Sequence, residues 1–393
     1  MRTAVVVDAV RSPMGKGKPG GALSELHAVE LLAQVLAGLV NRTGIDPGTV
    51  EDVIVGCVSQ AADQSVTPGR MAWLAAGFPE HVPATTIDRR CGSSQQALHF
   101  AAQGVLAGAY DVVVAGGVES MSRVPMGSAR MGRDPYGPSV TERYAPGLVS
   151  QGVAAELVAA KWALERETLD AYSARSHHRA AAAADAGHFR DEIVPITVPG
   201  GTVVDRDETI RPGTTAERLA GLKPSFQDEE AARRFPEIGW RVTAGNSSQI
   251  TDGASAVLVM SEERAERLGL TPLARFHAFS VCGDDPVTML TAPIPATATV
   301  LERAGLDLAD IDHAEVNEAF APVPLAWQAE YPVADEVLNP VGGAIALGHP
   351  LGASGSRLFT SMLWNLRRTG GRWGLQTMCE AGGMANATIV ERL

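Results

Sequence analysis

The sequence predicts an α/β fold built from two similarly folded halves, and three observations carry that expectation. Short apolar runs alternate with amphipathic helical patterns, the signature of a parallel, doubly wound sheet. A long stretch recurs: Gly44-Ile-Asp-Pro-Gly-Thr-Val-Glu-Asp-Val-Ile-Val55 resembles Gly305-Leu-Asp-Leu-Ala-Asp-Ile-Asp-His-Ala-Glu-Val316, an offset of 305 − 44 = 261. The length, 393 residues, fits two or three domains at about 150 residues each.

The elements follow in chain order. Ala4 to Asp8 reads as a buried strand. A Gly-rich loop then leads into a helix with Leu26, Val29, Leu32, Leu36 and Val40 on one face, Ser24 as its cap and Gly44 as its left-handed C-terminal cap. Val53 to Val55 and Ala84 to Ile87 are the next strands. A small-residue helix runs from about Ser93 to Leu106, and Asp111 to Ala115 follows as a strand. The 261 offset places Ser93 on Ser354, each opening a helix after a Gly-containing loop. Both helices lead to Ala-Gly-Gly, at 115–117 and 381–383. That offset, 381 − 115 = 266, implies a few extra loop residues in one copy. Such long repeats predict facing halves rather than a short-period solenoid.

Ser120 to about Trp240 is different in character. It holds Pro125-Met-Gly, Asp134-Pro-Tyr-Gly-Pro, an Ala-rich helix across 171–186 and charged loops at 205–211 and 228–234. It reads as an insertion into the first half. The expected organisation is 1–119 with 243–272 as one half, 120–242 as the insertion and 273–393 as the second half.

Composition narrows the function. Lys+Arg 33 against Asp+Glu 45 gives a net charge of −12, which argues against general nucleic-acid or anionic-membrane binding. Only four basic residues are lysines: Lys16, Lys18, Lys161 and Lys223. The cysteines Cys57, Cys91, Cys282 and Cys379 show no CxxC spacing, so neither a disulfide scaffold nor a Cys-based zinc site is expected. No targeting segment and no apolar run of about 18 residues is visible, and a cytoplasmic location is the simplest expectation.

Four places carry possible chemistry. Cys91 stands between a strand and a helix in Cys91-Gly-Ser-Ser-Gln-Gln-Ala, where helix N–H groups and nearby Arg89 and Arg90 favour thiolate. A nucleophile and a buried structural cysteine are equally good readings of that context alone. His349 sits in Gly342-Gly-Ala-Ile-Ala-Leu-Gly-His349-Pro-Leu-Gly-Ala-Ser-Gly355, where glycines admit a ligand and an imidazole can serve as base. The alternative is a turn histidine bonding its own backbone. Cys379 ends the strand Gly374-Leu-Gln-Thr-Met, near the repeat equivalent of Val113-Val114, at the edge where ligand crevices form. Asn317, in Asn317-Glu-Ala-Phe320, is either an oxyanion or water ligand or a helix N-cap.

Two patterns are decoys. Gly15-Lys-Gly-Lys-Pro-Gly20 matches GxGxxG, but no helix opens there and no acidic partner follows at the required distance. His177-His178 lacks the i, i+4 spacing of a metal pair and reads as solvated.

Together these motifs resemble the thiolase family over essentially the whole chain. Asp88-Arg-Arg-Cys91-Gly-Ser-Ser-Gln-Gln-Ala97 is similar to its acyl-cysteine motif. Asn339-Pro-Val-Gly-Gly through Gly355 is similar to its Gly-His-Pro signature, and Cys379-Glu-Ala-Gly-Gly-Met-Ala to its C-terminal cysteine motif. Asn317-Glu-Ala-Phe320 completes the set, and the whole looks most like actinobacterial degradative members, including those of steroid breakdown. The resemblance implies a five-layered αβαβα fold. It implies a 3-ketoacyl-CoA substrate, with coenzyme A as co-substrate and no permanently bound cofactor or metal. Cys91 would be the acyl carrier, His349 its base and Cys379 the second acid/base. His349 with an Asn317-held water, and the N–H groups of Cys91 and Ala381, would form two oxyanion holes. Lys223 and Ser248 match CoA-contact positions, and a homodimer or homotetramer is expected.

Four departures stand out: Asp88 where Asn is usual, Ser94 and Ala381 where Gly is common, and Ser150-Gln151 where short-chain biosynthetic members have His-Met. The last favours a bulkier acyl chain. Competing readings are a biosynthetic acetoacetyl-CoA thiolase, a non-catalytic acyl-CoA or lipid carrier, a decarboxylating ketosynthase and an unrelated cysteine hydrolase. Retention of all three reactive residues argues against the carrier, and Asn317 in place of a second His argues against the ketosynthase.

Overall fold

Alternating side chains along the strands divide the core into layers. The computed structural model describes residues 2–393. Its strands are β1 (Ala4–Arg11), β2 (Gly15–Lys16), β3 (Asp52–Gly56), β4 (Ala84–Ile87), β5 (Val112–Ser120), β6 (Ile196–Thr197) and β7 (Val203–Val204). They continue with β8 (Thr251–Ser261), β9 (Ala274–Gly283), β10 (His313–Val316), β11 (Trp373–Glu380) and β12 (Met384–Arg392). The main sheet runs β10-β11-β12-β9-β1-β8-β5-β3-β4, with β2 beside β8, while β6 and β7 form a separate ribbon.

On β1, Val5 and Val7 pack outward on Leu31, Leu32 and Leu36, while Ala4 and Val6 pack inward beside Leu98 and Phe359. A register shift between Val6 and Asp8 inverts the parity, so Ala9 faces inward and Val10 outward. On β8, Ala254, Ala256 and Leu258 face outward, and Val257 and Val259 inward. On β12, Ala385, Ala387 and Ile389 face the opposite outer core, with Trp327 and Val300.

Five layers result. Helices Ala28–Thr43 and Pro68–Ala75 cover one side, and Pro293–Ala304 and Pro322–Glu330 the other. Helices Ser93–Ala107 and Ser354–Thr369 lie together between the two half-sheets, which touch through β1 and β9 only at Val5–Arg275 and Val6–Ala274. Each fully buried leucine of the outer helices contributes about 1.5–3 kcal/mol.

The repeat is written into the strand registers. Val53 of β3 pairs with Val114 of β5, and Ala314 of β10 with Leu375 of β11, so both differences (314 − 53 and 375 − 114) equal 261. Where β4 lies beside β3, the second half has a single bridge from Ala314 to Leu338. The sheet is nevertheless mixed rather than parallel, because β8 and β12 run antiparallel to β5 and β11. A short turn at 381–383 joins β11 to β12, as an antiparallel pair allows, whereas the long stretch 121–250 with its helices joins β5 to β8.

Several local expectations are corrected. Ala115-Gly116-Gly117 lies within β5, whereas 381–383 is the turn after β11. That match is fortuitous, and the repeat equivalent of Cys379 is Val118. The first helix begins at Ala28 with His27 as its cap, while the Ser24 hydroxyl bonds Gly21 in a preceding turn. Gly44 closes it in the left-handed region at φ 65°. His177 is buried, its Nδ1 accepting the Arg211 N–H, and burial lowers its pKa to about 4. Its neighbour His178 is exposed. Cys282 is half-buried, and all four cysteines are free thiols.

The chain between β5 and β8 is anchored to the first half by Arg11. Its guanidinium is fully buried and bonds Glu192 and Asp207, each at 2.6 Å. The half-to-half fit is tighter still at Gly117, where a Cβ would lie 2.2 Å from the Gly352 carbonyl oxygen and 2.8 Å from Ala353 Cα. Both obstacles are backbone. Gly117→Ala is therefore expected to cost roughly 1–3 kcal/mol, read as a lower urea midpoint. An unchanged midpoint would show that the two halves give way freely.

Candidate active site

The turn before the third long helix presents Cys91. After β4, Asp88 Oδ1 accepts the Arg90 N–H at 2.7 Å, and Arg90 takes the left-handed region at φ 50°. Ser93 locks the corner: its hydroxyl accepts the Arg89 N–H at 2.9 Å and donates to the Arg90 carbonyl at 2.6 Å. A non-glycine residue in this conformation is strained, and the surrounding bonds hold it there. Cys91 is buried among Met121, Leu351, Leu358 and Met378.

Its thiol is pushed up to about 12, chiefly by burial and then by the Glu380 carboxyl, while Arg90 pulls the other way. The expected thiolate-favouring environment is thus overturned: burial outweighs the helix start, and the resting group is a thiol.

His349 is brought to the start of the partner helix. Its N–H donates to Gln249 O (3.1 Å) and Thr251 Oγ1 (3.0 Å). Gly348, at φ 90°, must be glycine, since a Cβ there would meet Thr251 Oγ1 at 2.2 Å. The Ser354 hydroxyl donates to the Pro350 carbonyl at 2.9 Å and lies 2.6 Å from His349 Nδ1. Both bonds form together only if Nδ1 carries the proton, leaving Nε2 as a free base. Nε2 is buried and has no partner. Burial first, and then the Arg357 charge, lowers the imidazole to about 3, so it is neutral at pH 7.

Cys379 and Asn317 approach from the second half. Cys379 is buried at the end of β11, and its pKa is raised by burial, then by Cys91, then by Glu380. The influence of Cys91 on it reflects two thiols in one enclosure. Asn317 follows β10 directly, with its N–H on Thr377 O at 3.1 Å. Its side chain is fully buried, and neither Oδ1 nor Nδ2 has a partner. It is therefore no helix cap. Leaving both amide atoms unpaired costs about 1–3 kcal/mol each, unless a water or ligand meets them.

Ala381 avoids the left-handed region, which falls instead on Gly382 (φ 94°) and Gly383 (φ 75°), so alanine is tolerated where glycine is common. Ser94 uses its extra hydroxyl to accept the Ser356 N–H at 2.9 Å, tying the two central helices together.

The remaining predicted residues lie farther out. Ser248 donates its N–H to Ala319 O at 3.0 Å, close in sequence to Asn317, and Lys223 is exposed on a loop of the insertion. A cavity of about 270 Å³ in the insertion is lined by Leu148, Ser150, Asp228, Arg234 and Phe235; none of Cys91, His349, Cys379 and Asn317 lines it. Among the described residues, no group of three or more His, Cys, Asp or Glu could hold a metal ion.

Sequence reasoning missed the residues that hold the site together. Buried Glu119 accepts Val58 N and Gly352 N on Oε2, and Ser59 N and Gln64 Nε2 on Oε1, at 2.8–3.0 Å. It thereby fastens the His349 loop to the first half. Glu318 accepts Tyr172 Oη, Ser176 Oγ and Ile345 N at 2.7–3.0 Å, joining the insertion to the other end of that loop. Glu318 lies inside the quoted Asn317 motif, and its apolar surroundings were the available signal.

A buried thiol at one central helix start, an unpartnered imidazole nitrogen near the other and a second buried thiol are the components an enzyme needs to carry a group covalently on cysteine between two half-reactions. The chain belongs to the thiolase family: residues 4–263 match the thiolase N-terminal domain and 270–392 the thiolase C-terminal domain. It is 49% identical to the steroid 3-ketoacyl-CoA thiolase FadA6 of Mycobacterium tuberculosis, covering 100% of this chain and 95% of that protein. It is 43% identical to a 3-ketoacyl-CoA thiolase of Cronobacter sakazakii, over 100% of both. A crystal structure of the Bacillus anthracis acetyl-CoA acetyltransferase superposes with a TM-score of 0.89 at 39% identity, covering 100% of this chain and 99% of that one.

Proposed function

We propose that this protein cleaves 3-ketoacyl-CoA with coenzyme A, releasing acetyl-CoA and a shortened acyl-CoA in a degradative pathway. The observation that carries the reading is the proximity of two buried thiols, Cys91 and Cys379, in a chain whose His349 Nε2 and Asn317 amide are buried without partners. His349 Nε2 takes the Cys91 proton as the sulfur attacks the 3-keto carbon. The C2–C3 bond breaks, and Cys379 delivers its proton to the acetyl-CoA carbanion. The Cys379 thiolate left behind takes the proton of coenzyme A, whose sulfur displaces the acyl group from Cys91, and the released Cys91 sulfur regains the proton held on His349 Nε2.

Each tetrahedral or enolate oxygen needs donors. Protonated Nε2 with a water on Asn317 serves one, and the Cys91 and Ala381 N–H groups serve the other. A buried imidazolium is costly, which drives the proton onward.

Further assignments belong to the same reading. The insertion 120–242 is the CoA and substrate platform, flanked by the halves 1–119 with 243–272 and 273–393. Lys223 supplies positive charge to CoA phosphates, which the net −12 otherwise disfavours. Ser248 contacts the pantetheine arm. Coenzyme A is a co-substrate, and no cofactor stays bound. Ser150-Gln151, in place of the His-Met pair of short-chain biosynthetic members, favours an acyl group larger than acetoacetyl. The active form is a cytoplasmic homodimer or homotetramer. A second reading, the biosynthetic condensation of two acetyl-CoA, is favoured by the likeness to the Bacillus anthracis acetyltransferase.

The test is a panel of 3-ketoacyl-CoAs of graded chain length, with and without free coenzyme A, followed by products and intact mass. An acyl adduct on Cys91 that only coenzyme A discharges is expected, with larger acyl groups preferred. Release by water instead would mark a hydrolase, and exclusive use of acetoacetyl-CoA would favour the biosynthetic reading.

A further inference from the structure

The internal repeat gives Glu119 a counterpart: 119 + 261 = 380, the residue beside Cys379. The two carboxyls are treated in opposite ways. Glu119 holds four N–H donors, one of them from Gly352 of the opposite half. Glu380 likewise reaches the opposite half, beneath Gly92, but neither of its buried oxygens has a partner.

A Cβ built on Gly92 would lie 1.9 Å from Glu380 Oε1 and 2.8 Å from Asn386 Oδ1. Those two oxygens therefore sit around one point. The Asn386 amide nitrogen is already committed to Gly92 O at 3.2 Å, which fixes Oδ1 toward the carboxyl. Two acceptors that face each other in a dry enclosure are reconciled only if one carries a proton, and an amide oxygen cannot.

The charged and titratable groups around Glu380 do not relieve it. Asp88 adds negative charge, and Arg89 on the same loop supplies the one attractive charge, with its Nε buried and unpaired. Cys91, Cys379 and, on β9, Cys282 each feel the carboxyl as a repulsive charge. The nearby helix start attracts an anion, but burial dominates and raises the carboxyl to about 8.

We propose that Glu380 is a positioning residue of the two-thiol centre that works as a neutral acid, its O–H turned to Asn386, and that loss of its proton to solvent suppresses thiolate formation at Cys91 and Cys379. The proposal rests on those cysteines being the reacting thiols. The sign is direct. Below pH 8 the carboxyl is neutral and each thiol can ionise in turn. Above it, a fixed negative charge beside both sulfurs raises the cost of each thiolate.

The test compares the native protein with Glu380→Gln, whose amide donates as the neutral acid does. Two readouts are taken within each protein: the ratio of kcat at pH 9 to that at pH 7, and the rate of Cys91 alkylation by iodoacetamide followed by intact mass. The native kcat ratio is expected to fall along a limb centred near pH 8. In the variant the limb is absent, and alkylation at pH 9 is faster by about tenfold, one unit of thiol pKa.

Alkylation needs no 3-ketoacyl-CoA, so it reports on Glu380 even if the proposed reaction is wrong. An unchanged limb together with alkylation within twofold of the native rate would overturn the proposal. Should the glutamine variant fail to fold, Asn386→Ala serves. Removing the acceptor of the acid proton moves the native limb to lower pH, and a limb that stays in place counts equally against the idea.

Discussion

Cys91→Ala is expected to abolish the acyl adduct and to lower kcat by about 10⁴-fold or more, the scale on which removal of a covalent nucleophile acts. The alanine fits the space: Cys91 is enclosed by Met121, Leu351, Leu358 and Met378, and losing one sulfur costs little packing. Stability should therefore remain near native while chemistry disappears. Coenzyme A would still bind, because Lys223 and Ser248, the residues proposed to hold it, are left in place. Intact mass after incubation with 3-ketoacyl-CoA, with a urea midpoint alongside, checks both halves of the statement. Turnover unchanged in the variant would remove Cys91 from the mechanism.

The second large effect is at His349. His349→Ala is expected to lower kcat by about 10²–10⁴-fold, the usual worth of a positioned general base. Adduct formation and discharge should both slow, since the same Nε2 takes the Cys91 proton in the first half-reaction and returns it in the second. The pH dependence is distinctive. Burial lowers the imidazole from 6.5 to about 3, so it remains an unprotonated base at pH 5, and kcat/KM should show no inflection near 6.5 from this residue. Such an inflection, lost in the variant, would mean that the histidine is more open to water than the structure shows.

The same shift is a stability statement. A depressed folded value contributes stability that is full above about pH 6.5 and is lost as the pH falls toward 3. The alanine variant should accordingly lose less stability on acidification than the native chain.

Much of this architecture was legible in the residues. Strand and helix periods, Gly44 as a left-handed cap and the 261-residue offset follow from local chemistry, which neighbours in sequence settle between themselves. The antiparallel course of β8 and β12 was not legible, because an apolar run reads alike in either direction. The false Ala-Gly-Gly equivalence failed for a related reason: a short small-residue motif recurs by chance, and only strand register separates descent from coincidence.

The site divides in the same way. Cys91, His349, Cys379 and Asn317 stand in motifs whose glycines and turns announce close approach, so the sequence by itself singled out the side chains proposed for the chemistry. Their protonation is a matter of enclosure. Cys91 stands at a helix start beside two arginines, yet it is a thiol, because the second half closes over it and removes water. The contrast between Glu119 and Glu380 makes the point most sharply. Both occupy one position of the repeat, and nothing in the local sequence separates a clamp from an unpaired acid. Only the packing of each half onto the other decides which carboxyl meets N–H donors and which meets Gly92 and the Asn386 oxygen. Desolvation and hydrogen bonding depend on groups hundreds of residues away along the chain, and they exist only once the halves have met.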